Sequence, residues 1–355
     1  MITPCSFVDC LKVNGVDFFT GVPDSLLKSF CAYLTDTSGD SHVIAANEGG
    51  AVALASGHYL ATGHPALVYM QNSGQGNAVN PLVSLADPDV YSIPMILLVG
   101  WRGQPGVHDE PQHVKQGKIT LALFETMGIP TQILPSDAQW RNIVAVSVQQ
   151  AIAESRPVAL VVPKGTFCEY TLKTKNADIS SLKRESAIEE ILDSLPSDAV
   201  VVSTTGMISR EVYEIRERRG QSHGHDFLTV GSMGHASQIA LGIAKANPRR
   251  PVFCLDGDGA SIMQMGNMAI VGQSGCLNLT HIVFNNAAHD SVGGQPTVGG
   301  SIDLTAIANA CGYGRRGAPK FREIKIAKGA RKDLGRPKEH PQKNKVLFMR
   351  TLGGL

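Results

Sequence analysis

The sequence predicts an α/β protein made of two doubly wound parallel-sheet domains, with no central third domain. Three observations carry that expectation. Short apolar runs recur along the whole chain, longer helical patterns separate them, and one polar stretch near the middle breaks the rhythm. Near-continuous apolar runs mark strands buried on both faces, as in parallel sheets covered by crossover helices. At 355 residues the chain is also long for a single core, and two domains is the expected division.

In the first half, VIAAN, PALVYM, MILLVG and VALVVP read as buried strands. In the second, VVSTTG, PVFCLDGDG and LTHIVFNN read the same way. The polar segment CEYTLKTKNADISSLKRE, from Cys168 to Glu185, reads as a surface linker. It sets the domains at residues 1–167 and 186–355. Open sheets of this class carry their chemistry at the carboxyl ends of the strands.

Several function classes are excluded early. The formal net charge is +1, so nothing points to nucleic acid or an anionic membrane as a partner. No stretch approaches the roughly 20 apolar residues that span a bilayer. The N-terminus, MITPCSFVDCLKVNG, lacks a basic segment followed by an apolar one and does not read as a signal peptide. The seven cysteines form no C-x-x-C pair, which fits free thiols in a reducing cytoplasm.

The strongest local signal runs from Leu255 to Asn286, LDGDGASIMQMGNMAIVGQSGCLNLTHIVFNN. An apolar strand delivers Gly257-Asp258-Gly259 to a turn, where glycines let the backbone approach a diphosphate and free its amides to donate. A second strand delivers Asn285-Asn286. Magnesium takes hard oxygen ligands, commonly a carboxylate together with phosphate oxygens. Asp258 and the Asn286 side chain can supply two such oxygens, and the backbone carbonyl of Ala288 a third. A glycine turn after a strand is common in isolation; the pair at this spacing is far more specific.

GDG followed by NN resembles the signature of thiamine-diphosphate enzymes. The resemblance extends over most of the chain, through GVPDSLLKSF, ANEGGAVALASGHYLATG, YMQNSGQGNAVNPLVSLADPDVYSIPMILLVGWRG, DEPQHVKQGKIT, VGSMGHASQIALGIA and NNAAHDSVGGQPT. These segments are similar to the phosphonopyruvate decarboxylase family and, less closely, to the sulfopyruvate decarboxylases. The resemblance implies a pyrimidine-binding first domain, a diphosphate-binding second domain, thiamine diphosphate and Mg2+ as cofactors, and decarboxylation of a short anionic 2-oxo acid. It implies that Glu48 protonates the aminopyrimidine, that Met233 props the bent cofactor, and that the Gly231 carbonyl accepts from the pyrimidine amino group. Ser73 and Gly74 would approach the cofactor or substrate through their backbone. Glu48 of one chain would face Asp258 of another, making a homodimer or higher homo-oligomer part of the expectation.

Asp24 and His113 match positions that line the site in related decarboxylases and would handle protons. His108, Asp109 and Glu110 share the His113 loop. For the anionic tail of the substrate, Arg102, Lys115 and Arg210 are the candidate cations. NSGQGNA contains G-x-G after a strand but lacks the third glycine of a dinucleotide fingerprint. Sulfopyruvate is the alternative substrate. A carboligase with an extra central domain has no room in this chain.

The chain departs from the family after Tyr313. CGYG is followed almost at once by RRGAPKFREIKIAKGARKDLGRP, so about a helix and its flanks are missing. Consecutive parallel strands need a crossover of roughly a dozen residues, and residues 315–320 are too few. The sequence therefore predicts a displaced FREIKI strand or a rearranged sheet edge, with apolar surface exposed where the helix is lost. A catalytically impaired, cofactor-binding paralogue is a further alternative on that ground.

Overall fold

The computed structural model describes residues 1–174 and 177–354. Residues 175 and 176, inside the sequence-predicted linker, and residue 355 lie outside the described residues. The chain divides into two compact units, 1–175 and 176–355, each an open parallel sheet with helices on both faces.

The first sheet has six strands: β1 (Phe19–Gly21), β2 (His42–Ile44), β3 (Ala66–Gln71), β4 (Met95–Gly100), β5 (Thr131–Ile133) and β6 (Pro157–Val162). Their order is β2-β1-β3-β4-β6-β5, and every pair is parallel. β4 and β6 are buried at every position. That explains why they read as unbroken apolar runs, since each face meets its own layer of core. Strand order turns back between β1 and β3, which opens a crevice at their carboxyl ends.

The second sheet has five strands: β7 (Val200–Ser203), β8 (Asp226–Leu228), β9 (Val252–Gly257), β10 (Leu279–Asn285) and, at one edge, the segment Lys320–Lys325. A two-stranded antiparallel ribbon, β11 (Ala288–His289) with β12 (Gln295–Pro296), leaves the end of β10. The edge segment Lys320–Lys325 is thus β13, and the sheet order is β13-β10-β9-β7-β8. The switch in direction falls between β7 and β9.

The crossover argument drawn from residues 315–320 does not hold, because the strand that precedes the FREIKI segment is β10. β13 pairs in parallel with β10 from Thr280–Lys320 to Asn285–Lys325. Its crossover is the whole of residues 286–319, which contains the helix Leu304–Cys311, so the crossover is ample. The expected bare apolar edge is also absent. Leu304 and Ala308 of that helix are buried, Tyr313 packs edge-on against Phe321, and β13 turns Lys320, Arg322 and Lys325 outward. Charged side chains on an edge strand discourage pairing with another chain.

Among the described residues, no helix is long and apolar enough to cross a membrane.

Candidate active site

In the first unit, the carboxyl ends of β1 to β4 carry the predicted polar residues. After β2, Asn47 caps the helix Glu48–Thr62 by accepting from the Gly50 N–H at 2.9 Å, an ordinary N-cap that fixes where the helix starts. Glu48 is therefore the first helical residue, only 5% exposed. Its Oε2 accepts from the Asn77 side-chain amide at 2.7 Å. Burial raises its carboxyl above the usual range, with the Asn77 bond working against that. Gly74, after β3, lies against this carboxylate so closely that any Cβ there would collide with Glu48 Oε1. Ser73 beside it is exposed and accepts from Gln71 Nε2 at 2.6 Å.

Asp24 follows β1 and is fully buried. Its Oδ2 accepts the Leu26 and Leu27 N–H groups at 2.9 and 3.1 Å, while Oδ1 has no hydrogen-bond partner. Burial pushes this carboxyl up to about 6, opposed by the Arg102 charge. Arg102, after β4, grips Asp109 with Nε at 2.8 Å and with Nη2, and donates from Nη1 to Ser25 at 2.8 Å. Arg102, Asp109, His108 and Lys164 share the wall of a small cavity beside Leu26 and Trp101. The helix Pro111–Thr126 begins just beyond, and the His113 backbone lies against Gly103. Lys115 is exposed on that helix and does not line the cavity.

The second unit holds an open cavity at the carboxyl ends of β7, β9 and β10, bounded by Thr204, Met233, Gly257, Asp258, Asn286 and Arg184 among others. Gly257 ends β9 and Asp258 starts a short helix, 3% exposed. Asp258 Oδ2 accepts from the Thr297 hydroxyl. Burial pushes its carboxyl up to about 6 against that bond and the Gly259 and Asn286 N–H groups. Among the described residues, no Lys, Arg or His nitrogen lies within 4.0 Å of it. Gly299 passes so near that a Cβ would stand 2.6 Å from Asp258 Oδ2.

Beyond β10, Asn286 Oδ1 accepts from the Ala288 N–H at 3.0 Å, and Ala287 between them has φ of 56°. A left-handed alanine is strained, and such residues gather where a backbone must present a group to a site. Ala288 and His289 both line the cavity, and burial lowers the His289 imidazole to about 4, so the ring is neutral. The helix Met207–Arg218 opens on the cavity through Met207 and Ile208. A helix start of this kind offers N–H groups and a positive dipole end to an anion. Met233 reaches in from the turn after β8, its Cε 3.5 Å from where a Gly259 Cβ would sit. Gly231 opens that turn and is half-buried.

Residues 5–123 match the family described as thiamine pyrophosphate enzyme, N-terminal TPP binding domain, and residues 204–339 match its C-terminal TPP binding domain. A phosphonopyruvate decarboxylase of Streptomyces viridochromogenes is 35% identical, covering 88% of this chain and 81% of that protein. One from Streptomyces hygroscopicus is 33% identical over an alignment of 377 residues, covering 96% of this chain and 92% of the relative. The chain belongs to the phosphonopyruvate decarboxylase family of thiamine pyrophosphate enzymes. Its cofactor is thiamine diphosphate, the pyrophosphate of those descriptions. The 377-residue alignment exceeds this chain's 355 residues, so that family member carries residues this chain lacks. A sulfopyruvate decarboxylase subunit beta of Methanocaldococcus jannaschii is 34% identical, over 37% of this chain and 66% of that subunit.

For a family member, the placement of the predicted residues is uneven. Gly257, Asp258, Gly259, Met233, Asn286 and Ala288 converge on one cavity, and Arg210 is not among its lining residues. Glu48 and Gly74 meet, and Asp24 and Arg102 lie near one another. Sequence reasoning missed Asn77, Thr297, Arg184 and Lys164. Asn77 and Thr297 act on carboxylates 29 and 39 positions away, and nothing in a local motif signals such partners. Arg184 sits in the segment read as a linker, yet it is 5% exposed and lines the cavity.

Proposed function

We propose that this chain catalyses the thiamine-diphosphate- and magnesium-dependent decarboxylation of 3-phosphonopyruvate to phosphonoacetaldehyde and CO2. The observation that carries the reading is the 33–35% identity to phosphonopyruvate decarboxylases across both halves of the chain.

The residues present suit the cofactor and its cation. Asp258, the Asn286 side-chain oxygen and the Ala288 carbonyl form a hard-oxygen donor set of the kind magnesium takes. Asp258 is buried without a cation beside it, and a bound divalent ion would reverse the rise that burial imposes on its carboxyl. The first turn at Met207 and the backbone of Gly257 and Gly259 supply donors for the diphosphate. Met233 supplies apolar bulk for the bent cofactor, the Gly231 carbonyl an acceptor for its amino group, and Ser73 and Gly74 close backbone approach.

When bound, thiamine diphosphate supplies the nucleophilic carbon and the electron sink. Glu48, with a neutral amide as its partner and a carboxyl raised by burial, can hold a proton and hand it to the pyrimidine ring. Asp24, poised at about 6, and His113 serve proton delivery after CO2 leaves. Partial exclusion of water favours the charge dispersal that accompanies CO2 loss. Arg102, Lys115 and Arg210 are the cations proposed for the phosphonate. Of these, Arg102 already neutralises Asp109, so a dianionic tail would have to share or displace that carboxylate.

The reading includes a homodimer or larger homo-oligomer in which Glu48 of one chain completes the site of another. It also includes a cytoplasmic location, which seven free thiols support. Sulfopyruvate is the second reading, favoured by the 34% identity to the subunit from Methanocaldococcus jannaschii. CO2 release from 3-phosphonopyruvate and 3-sulfopyruvate, each with and without thiamine diphosphate and Mg2+, tests both. Faster turnover of phosphonopyruvate that requires both additions is expected; turnover that needs neither rejects the proposal.

A further inference from the structure

Asn286, a proposed cation ligand, has both ends of its side-chain amide engaged. Nδ2 donates to Asp290 Oδ2 at 2.6 Å, and Oδ1 accepts from the Ala288 N–H at 3.0 Å. A carboxylate oxygen accepts and a backbone N–H donates, so both contacts select the same orientation of the amide.

Asp290 is fixed in turn. Its Oδ2 also accepts the Gly329 N–H at 2.8 Å and faces Arg184 Nη1 at 3.4 Å. Arg184 donates to both carboxylate oxygens of Glu211, at 2.8 and 3.1 Å, and to the Gly329 carbonyl at 3.2 Å. Arg184 and Glu211 are 5% and 1% exposed. Desolvation offsets most of the attraction in a pair buried this deeply. Its consequence here is geometric: one guanidinium ties the helix Arg184–Ser194, the helix Met207–Arg218 and the Gly329 loop to the carboxylate behind Asn286.

We propose that Asp290, anchored by Arg184 and the Gly329 amide, is a positioning residue that holds the Asn286 amide with its oxygen toward the bound cation. Without the carboxylate, the amide can rotate by half a turn and present its NH2 group, which repels a cation. Partners of this kind behind metal ligands typically contribute 10–100-fold in affinity. The inference rests on the cation reading of Asp258 and Asn286 given above.

The probe is Mn2+, titrated into the full chain with thiamine diphosphate and followed by the electron paramagnetic resonance of the free ion. Asp290→Ala should raise the Mn2+ Kd roughly 10–100-fold. Asp290→Asn, which keeps an oxygen able to face the same donors, should raise it less. In an Asn286→Ala background, Asp290→Ala should add less than about twofold, because the residue it positions is gone. Equal losses in both backgrounds, or less than about a twofold change with Asn286 present, overturn the proposal. If Asp290→Ala folds poorly, Asp290→Asn in the same two backgrounds decides the matter by the same criterion. An Asn286→Ala chain that binds Mn2+ as the parent does overturns the cation reading itself, and this inference with it. A weakened Asn286→Ala chain beside an unaffected Asp290→Ala chain overturns this inference alone.

Discussion

Two buried aspartates of the second sheet are treated in opposite ways. Asp226, on the edge strand β8, is fully buried and takes the fork of Arg216 at 3.0 and 3.1 Å. Asp258, at the end of the middle strand β9, is 3% exposed and meets a hydroxyl and backbone amides. Burial raises both carboxyls; Arg216 works against the rise at Asp226, and no cation does so at Asp258. The first sheet repeats the contrast. Against the upward push of burial, Arg102 and two N–H groups hold Asp109 well below the usual carboxylate range. Asp24 and Glu48 nearby stay raised. A buried carboxylate without a cation is costly. Glu48 and Asp258 have no cation working against burial, Asp24 is only partly offset by Arg102, and all three stand just beyond strand carboxyl ends. Asp226, held by Arg216, belongs to the framework.

The comparison breaks most visibly at Glu48. Glu48→Gln should keep thiamine diphosphate binding and lose roughly 10²–10⁴-fold in turnover, the usual worth of a positioned proton donor. Steady-state rates beside a cofactor titration check this, and unchanged turnover removes Glu48 from the mechanism. At Asp258, Asp258→Ala should raise the cofactor and magnesium Kd about a hundredfold, read by calorimetric titration. Wild-type binding there would move the cation site elsewhere.

The framework side predicts a different signature. Asp226→Ala leaves Arg216 without its partner and should lower stability by about 3 kcal/mol, measured by urea unfolding, while the Mn2+ Kd of the folded chain stays put. A shift in Kd with no loss of stability would erase the distinction between the two aspartates.

Asp24 gives the smallest and most pH-specific effect. Its folded carboxyl titrates at about 6 against an ordinary value of 3.8, so the folded state holds this proton more tightly than the unfolded one. The stability it contributes is complete below the ordinary value and is lost as pH rises toward 6. The whole shift is worth about 3 kcal/mol, of which about 2 kcal/mol is lost between pH 4 and pH 7, and Asp24→Asn should abolish it. Parallel unfolding curves at pH 4 and pH 7 test this, and the same pH dependence in both chains would mean that Asp24 does not titrate there.

Much of this was legible in the chain. Strands such as MILLVG and PVALVV are buried on both faces, so their composition alone marks them. The motif around Asp258 and Asn286 lies on consecutive strands that pair directly, so closeness in sequence becomes closeness in space. Illegible were β1, β5 and β8, three residues each. Segments so short have no periodicity, and only pairing with neighbours makes them strands. The crossover to β13 was miscounted from Tyr313, while the preceding strand is β10 and the connection already contains the helix Leu304–Cys311.

The sequence by itself determined two parallel sheets, the glycine turn with its acid, and the glutamate that opens a helix, because each is a local pattern of burial, capping or turn chemistry. Tertiary structure alone decided which carboxylates are neutralised and which wait. That choice depends on arginines and amides brought from distant positions: Arg184 to Asp290 across 106 residues, Asn77 to Glu48 across 29. Electrostatic partnership is set by distance in space and by the exclusion of water, and neither is written in the spacing of the chain.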